Sequence, residues 1–360
     1  LSFDELFAPL SGSLILELKD GAKLSDDILY YPLGEVTDNE EIEANGEKIQ
    51  IDEIISEWTA PLEKVFPMQA QCPKMEQSAK LFTERNNKAP LIKTAKPKVF
   101  IPVFPGTNCE VDTARAFEKA GAEAELLIVK NLKPSDIEET IAKMESIIKE
   151  SQMIMFPGGF SGGDEPDGSG KFIATTFRNP RIKEAVDELL NKRDGLMLGI
   201  CNGFQALIKL GLVPYGEIRD IKASDPTLTF NTVGRHISHM AYTRVTSVKS
   251  PWFSSVNAGD VFAVPVSHGE GRFMADSETV KRLIENGQVA TQYVDLNGNP
   301  SDDIAYNVNG SVCAIEGITS PDGRILGKMG HSERKGKDLY ANVPFNKDQK
   351  IFESGVKYFK

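Results

Sequence analysis

The chain has 360 residues, of which 40% are hydrophobic and 26% charged, a composition typical of two or three folded units with sizeable cores. The net charge of -11 argues against a general nucleic-acid binder or membrane-surface binder, because both of those partners are anionic. Four scattered cysteines, no apolar run of membrane-spanning length and no secretory signal pattern together predict a protein of the reducing cytoplasm.

Residues 1–95 differ in pattern from the rest of the chain. Ser13–Leu18 and Lys48–Ile51 are predicted strands, and an Asn-Gly turn precedes the second. Apolar residues at helical spacing predict a helix over Ile51–Phe66, which Pro61 should bend or break. A polar stretch typical of a connection follows. The pattern indicates the end of an upstream domain and a linker, preceding a separate domain at 96–360.

From Lys98 onward, strands and helices alternate. The predicted elements are the strand Val99–Phe104, the helix Glu110–Ala120 capped by Asn108, the strand Glu125–Val129, a helix from Ser135 to about Lys149, the strand Met153–Phe156, the helix Arg181–Lys192, the strand Gly195–Ile200 and the helix Cys201–Leu210. Apolar strands joined by amphipathic helices predict an α/β fold with a parallel sheet and helices on both faces. After Pro214 the chain becomes β-rich, and its predicted strands lie in Thr229–Val248, Val261–Ser267, Cys313–Ile318 and Ile325–Met329.

The segment GICNGFQ, residues 199–205, places Cys201 at the junction of a buried strand and a helix. A nucleophile on such a sharp turn is expected to project over the sheet edge. The helix N-terminus should lower the pKa of the thiol, and the next backbone N–H groups can bind an oxyanion. The alternative is a buried structural cysteine, which the flanking glycines disfavour.

A general base for this thiol is expected further along the chain. His331-Ser332-Glu333 follows a predicted strand, and His331 can take the thiol proton while Glu333 holds the imidazole tautomer. A His-x-Glu pattern alone is weak, and its strength comes from the cysteine turn. His268 is a rival base, a substrate-binding group or a structural loop residue.

A glycine-rich stretch, PGGFSGGD at 157–164, follows the strand Met153–Phe156 and should lie at the same sheet edge as Cys201. Its N–H groups can approach an oxyanion, although a flexible turn is the alternative. The nearby GSGK at 168–171 lacks the residues of a phosphate-binding loop. His236 and His239 are read as a strand pair rather than metal ligands, so no metal site is predicted.

These motifs resemble class I glutamine amidotransferases, through GICNGFQ at 199–205, PGGF at 157–160 and HSE at 331–333. They resemble more specifically the phosphoribosylformylglycinamidine synthase family of purine biosynthesis. That second resemblance spans about 98–345 and is carried by the stretches 102–117, 158–165, 199–214, 250–253 and 267–273.

The resemblance implies that 96–360 is a flavodoxin-like glutaminase domain, with residues 1–95 as the end of an upstream synthetase-type domain, α+β in character, plus a linker, as in the long single-chain form. It implies a Cys201, His331 and Glu333 triad that hydrolyses glutamine through a thioester. The implied glutamine-binding residues are Gly159, Phe160, Asn202, Gln205 and His268, with N–H groups near Gly159–Phe160 and at Asn202 as oxyanion donors.

The implied partner is a synthetase half that uses the ammonia, ATP and Mg²⁺ to convert formylglycinamide ribonucleotide, while this chain itself holds no cofactor. Two positions depart from the family pattern: Ser332 stands where a proline is frequent, and Gly162 where Tyr or Trp is frequent. The alternatives are an amidotransferase of another pathway, a cysteine hydrolase or peptidase, and a docking module without activity. The sequence assigns no role to Cys109, Cys313, His236 or His239.

Overall fold

The predicted alternation of strands and helices is present in the computed structural model, which describes residues 8–65, 72–74, 79–160 and 170–360. The chain forms two compact units, residues 1–68 and residues 69–360.

The first unit contains a β-hairpin and one helix. Strands β1 (Glu41–Ala44) and β2 (Glu47–Gln50) pair antiparallel around Asn45 and Gly46, which both have positive φ as a two-residue hairpin turn requires. Helix α1 is Ile51–Glu63, so the predicted helix is confirmed.

Two predictions for this unit are wrong. Ser13–Leu18 forms no strand, and its apolar residues are not packed in a core, since Leu14 and Ile15 are 82% and 86% exposed. Pro61 does not break α1 at its own position. It lies in the last turn, two residues before the helix ends, where a lost backbone bond disrupts little.

The second unit is built around one large sheet. Its strands are β3 (Lys98–Val103), β4 (Glu123–Ile128), β5 (Met153–Phe156), β6 (Leu196–Ile200), β7 (Thr227–Thr229), β8 (Ile237–Val245), β9 (Val261–His268), β10 (Arg272–Met274), β11 (Val289–Tyr293), β12 (Ile315–Thr319) and β13 (Ile325–Lys328). Its helices are α2 (Glu110–Ala120), α3 (Pro134–Glu150), α4 (Lys171–Phe177), α5 (Pro180–Lys192), α6 (Asn202–Leu210), α7 (Leu212–Tyr215), α8 (Ser277–Glu285) and α9 (Ile351–Tyr358).

Nine strands form this sheet in the order β4-β3-β5-β6-β13-β12-β11-β8-β9, while β7 and β10 pair separately. From β4 to β13 the neighbours are parallel, and from β13 to β9 they are antiparallel. The predicted α/β fold is therefore confirmed for the parallel half, and an antiparallel half extends it. Strand β13 belongs to both halves, since it runs parallel to β6 and antiparallel to β12.

Helices cover both faces of the sheet, as predicted. Helix α2 packs with α9, and α3 packs with α5. The connection through α2 moves along the sheet in the opposite direction to those through α3 and α5, so right-handed crossovers place them on opposite faces.

The expected cap of helix α2 is wrong. Cys109 rather than Asn108 is the N-cap, with no side-chain capping bond, and the Asn108 amide oxygen instead accepts from the Cys109 thiol at 3.0 Å.

The segment 79–95 lies at the start of the second unit and is hydrogen-bonded to the rest of it. The N–H of Phe82 donates to Thr246, its carbonyl accepts from Val248, and Arg85 donates to the carbonyls of Phe253 and Val256 at 2.9 and 2.6 Å. A stretch with little secondary structure is thus held by hydrogen bonds to the antiparallel half.

Candidate active site

Cys201 occupies a strained turn between β6 and α6. Its backbone has φ 53° and ψ -107°, a conformation that a non-glycine residue adopts only where the surrounding structure enforces it. The enforcement comes from close packing: a Cβ at Gly203 would lie 2.0 Å from the Phe156 carbonyl oxygen, and one at Gly199 would lie 2.6 Å from the Gly203 oxygen. The sharp strand-to-helix turn predicted from the sequence is present.

The thiol itself is enclosed, contrary to the expectation that it projects over the sheet edge. Cys201 is 5% exposed, and its Sγ lies 3.6 Å from the Ser267 carbonyl oxygen. Burial raises the pKa of the thiol to about 12, and the negative charge of Glu333 adds to that effect. The expected lowering of the pKa by the helix N-terminus is therefore wrong, although the Asn202 N–H near the sulfur acts in that direction. The resting thiol is neutral and needs a base.

His331 and Glu333 form a buried pair immediately after β13. The His331 Nδ1 lies 2.6 Å from the Glu333 Oε1, and both side chains are almost inaccessible. Burial alone would raise the pKa of Glu333, but the charge and hydrogen bond of His331 outweigh it and lower the pKa below 4.5. The carboxylate thus fixes Nδ1, and the buried Nε2 has no hydrogen-bond partner among the described residues. Nε2 is the atom left to exchange a proton.

The backbone links this pair to the cysteine. The Cys201 N–H donates to the Lys328 carbonyl at 2.8 Å, and Ile200 pairs with Lys328 in the sheet register. The nucleophile and the base therefore follow neighbouring parallel strands at the same end of the sheet. A residue that follows the end of a parallel strand is well placed for catalysis in α/β folds.

Cys109 is a second buried thiol at the site, with no role expected from the sequence. Its Sγ lies 3.8 Å from the His331 Nδ1 and accepts from the Arg334 guanidinium at 3.1 Å. Burial raises its pKa to about 11, and Glu333 raises it further while Arg334 opposes. Sequence reasoning missed both residues, because neither lies in a recognisable catalytic motif.

The donor atoms of Cys109, His331 and Glu333 lie within 4.8 Å of one another, a spacing that a metal ion can bridge. Two features argue for acid–base chemistry instead. Glu333 already occupies the His331 Nδ1, and the Arg334 guanidinium at the thiol would repel a cation.

The glycine stretch after β5 lies against the base, as expected from its place at this sheet edge. A Cβ at Gly158 would lie 2.7 Å from the His331 Cε1. Gly159 (φ 139°) pairs with Thr107 in an isolated bridge, whose bonds run from Phe160 N–H to Gly106 and from Asn108 N–H to Gly158. Residues 161–169, including Gly162 and most of the GSGK stretch, fall outside the described residues.

That bridge bears on the expected oxyanion donors. The Phe160 N–H is bonded to the Gly106 carbonyl at 2.8 Å, so it is not free in this state. The Gly159 N–H points away from the bridge bonds, because Gly159 and Thr107 form its non-hydrogen-bonded pair. The roles of the Gly159 and Asn202 N–H groups as oxyanion donors stay predictions.

The other predicted substrate-binding side chains are held by the protein. The Asn202 amide donates to the Gln205 Oε1 at 2.9 Å, and the Gln205 amide donates to the Glu270 carbonyl at 2.6 Å. His268 is 1% exposed with Nδ1 3.2 Å from the Asn231 Oδ1. Burial lowers the pKa of His268 to about 3, helped by the nearby His331, so it is neutral and a poor rival base. Contact of these residues with glutamine stays a prediction.

The two histidines near β8 differ from each other. His236 precedes the strand; its Nε2 lies 3.1 Å from the Ser267 Oγ, and its ring lies 6.2 Å from that of Phe160. His239 lies within the strand and is exposed. The His236 ring therefore borders the glycine stretch.

Comparison with known proteins agrees with this geometry. The model of the CobB/CobQ-like glutamine amidotransferase domain matches residues 96–359. The chain belongs to that glutamine amidotransferase family. As a member it is a glutamine-dependent enzyme, and the α/β sheet with a cysteine turn is the expected scaffold.

Relatives within the family carry a more specific name. A Methanococcus maripaludis protein named phosphoribosylformylglycinamidine synthase subunit PurQ is 38% identical over 66% of this chain and 82% of its own length. A Dehalococcoides mccartyi protein of the same name is 35% identical over 67% of this chain and 86% of its own length. The structure of PurLQS from Thermotoga maritima matches 74% of this chain and 100% of the compared chain, with a TM-score of 0.53 and 26% identity. The resemblance to this synthase family is confirmed.

In the described part of this amidotransferase, no helix is both long enough and apolar enough to span a bilayer.

Proposed function

We propose that the chain is the glutaminase component of phosphoribosylformylglycinamidine synthase and that Cys201, His331 and Glu333 are its catalytic triad. The single observation that carries this is the strained Cys201 turn beside the buried His331–Glu333 pair. The names of the relatives support the pathway, since two of them are PurQ subunits with more than four-fifths of their length matched.

The chemistry has two stages. Nε2 of His331 takes the thiol proton of Cys201, and the sulfur attacks the carboxamide carbon of glutamine. The tetrahedral oxyanion accepts from the N–H groups of Gly159 and Asn202, then collapses to a glutamyl thioester as His331 gives its proton to the departing ammonia. Water hydrolyses the thioester to glutamate and restores the thiol.

The ammonia requires an acceptor. We propose that a synthetase partner uses ATP and Mg²⁺ to activate formylglycinamide ribonucleotide and that the ammonia from this site attacks it. We also propose that residues 1–95 are the end of an upstream synthetase-type domain plus a linker, which the family match beginning at residue 96 supports. The cysteines, all free, suit a cytoplasmic location.

Cys109 is the second candidate nucleophile, because its sulfur lies 3.8 Å from the imidazole of His331. It faces Nδ1, which Glu333 already binds, and its backbone φ of -105° is unstrained. The geometry therefore favours Cys201, whose turn is the strained one.

Matched alanine variants test the assignment in the complete enzyme. Cys201→Ala should abolish glutamine-dependent synthesis, a loss of more than about 10³-fold, because no thioester can form. It should leave ammonia-dependent synthesis unchanged. Cys109→Ala removes an equally buried thiol and should retain glutamine use within about tenfold, since it alters only a neighbour of the base.

Two results would contradict the proposal. Glutamine use that survives in Cys201→Ala and disappears in Cys109→Ala would move the nucleophile to Cys109. Loss of ammonia-dependent synthesis in Cys201→Ala would place this cysteine in the synthetase reaction instead.

A further inference from the structure

A buried ion pair lies directly behind the catalytic base. Lys328, the last residue of β13, and Glu316 of β12 are both fully buried, with the Lys328 Nζ 3.2 Å from the Glu316 Oε1. Isolated buried charges are costly, and a buried pair is seldom a net source of stability. Its presence here therefore calls for a role other than packing.

The pair holds both peptide groups that lead into His331. The Gly330 N–H donates to the Glu316 Oε1 at 2.6 Å, and the Lys328 ammonium donates to the Gly330 carbonyl at 2.6 Å. The His331 N–H then donates to the Pro265 carbonyl at 2.8 Å. The backbone immediately before the imidazole is thus fixed on both sides by charged or carbonyl partners.

The same ammonium also bonds to Ser332, the residue that follows His331. It donates to the Ser332 Oγ at 3.1 Å, and the Ser332 hydroxyl donates to the Gln349 Oε1 at 2.6 Å. The Lys328 ammonium therefore donates to Gly330 and Ser332 and forms an ion pair with Glu316.

Lys328 touches the other half of the site as well, because its carbonyl accepts from the Cys201 N–H at 2.8 Å. One residue thus bonds to the nucleophile through its backbone and to the loop of the base through its side chain. Glycine fits closely at position 330: a Cβ there would lie 2.6 Å from the Val264 Cγ2, 3.0 Å from the Glu316 Oε1 and 3.1 Å from the Lys328 Nζ.

We propose that Lys328 and Glu316 are positioning residues that set the distance between the imidazole of His331 and the thiol of Cys201. The inference rests on the proposed triad and adds to it the device that aligns its two halves. The pair touches no substrate, and its effect on the reaction passes through the His331 loop.

The test uses Lys328→Met in the complete enzyme. Loss of the ammonium frees the Gly330 carbonyl and Ser332, so kcat for glutamine hydrolysis should fall roughly 30-fold. This is less than the roughly 10²- to 10⁴-fold that a general base contributes, because His331 is displaced but still present. KM for glutamine should change less than about threefold, since the glutamine contacts remain. Ammonia-dependent synthesis should be unchanged.

A double variant separates alignment from folding. Lys328→Met combined with Glu316→Met removes both charges together and replaces them with apolar chains, which restores stability after loss of a buried pair. Its melting temperature should return towards that of the parent while kcat stays low and KM for glutamine stays near the parental value. Recovery of the parental kcat in the double variant would overturn the inference.

Arg324→Met is the matched control, because Arg324 precedes the same strand and pairs with Asp322 at 2.6 Å far from the base. It should lower the melting temperature and leave kcat near the parental value. An equal fall in kcat in this control would also overturn the inference. If Cys201→Ala still hydrolyses glutamine, the triad itself fails. If Cys201→Ala is inactive and the Lys328 variants keep the parental kcat, only the positioning role fails.

Discussion

The parallel and antiparallel halves of the sheet differ in what they bury. In the parallel half, every residue of β5 and β6 is buried, and all except Gly199 are apolar. In the antiparallel half, Thr291, Gln292 and Glu316 are fully buried and hydrogen-bonded, Gln292 to the Cys313 carbonyl at 2.7 Å. Apolar packing is non-directional, whereas hydrogen bonds fix orientation.

The difference explains how the site is divided. The parallel half supplies a dense platform that forces Cys201 into its strained turn. The antiparallel half supplies directional bonds that orient the loop of His331, through Glu316 on β12 and Pro265 on β9. The two meet at β13, which pairs with both, so the site lies where a packing-dominated region joins a hydrogen-bonded one.

The largest expected effect tests the close packing of the parallel half around the Cys201 turn. Gly203→Ala would place a Cβ 2.0 Å from the Phe156 carbonyl oxygen. Because that oxygen belongs to the backbone, no movement of a side chain can relieve the clash. The free energy of unfolding should fall by at least about 3 kcal/mol, beyond the usual cost of overpacking. Urea unfolding followed by circular dichroism measures it.

Gly34→Ala is the control for this substitution, since a Cβ there meets no atom within 4 Å. Its unfolding curve should match that of the parent. Equal unfolding curves for the parent and Gly203→Ala would show that the packing around Gly203 can adjust. The strained turn of Cys201 would then need another explanation.

A smaller effect, the pH dependence of the free energy of unfolding, tests the antiparallel half. Burial lowers the pKa of His268, at the end of β9, to about 3 from an ordinary 6.5. The folded protein keeps this side chain neutral while the unfolded chain binds a proton below pH 6.5. Its contribution is therefore complete above pH 6.5 and declines as the pH falls towards 3. Between pH 6.5 and 5 the loss should be roughly 2 kcal/mol.

His268→Asn removes the titrating group and keeps a donor for Asn231. Between pH 6.5 and 5, the free energy of unfolding of this variant should fall by roughly 2 kcal/mol less than that of the parent. Parallel pH dependences for the two proteins would mean that His268 is protonated in the folded state, contrary to its burial.

The sequence revealed the parallel half well because its signals are local. Runs such as Met153–Phe156 are wholly apolar, and the cysteine turn carries glycines that only close packing explains. The pair His331 and Glu333 was found because a nucleophile demands a base. Their proximity in space confirms the pairing of the two side chains, while their catalytic role stays a proposal.

The antiparallel half was harder to predict because its signals are tertiary. Strand β11, VATQY, contains buried Thr291 and Gln292, whose partners lie on other strands, so the segment shows no apolar alternation. Lys328 and Glu316 carry no signal in the sequence, since burial of both depends on their mutual pairing. Ser13–Leu18 shows the reverse error, because an apolar run with strand-like composition forms no strand unless tertiary contacts bury it.

The most direct test of the triad is to map where a glutamine-like electrophile reacts. The complete enzyme would be treated with the electrophile, with and without excess glutamine, and the modified peptides identified by mass spectrometry. The account predicts one adduct on Cys201, suppressed by glutamine, with Cys109 unmodified despite its 3.8 Å separation from the His331 imidazole. An adduct on Cys109 with Cys201 intact would contradict the assignment of the nucleophile.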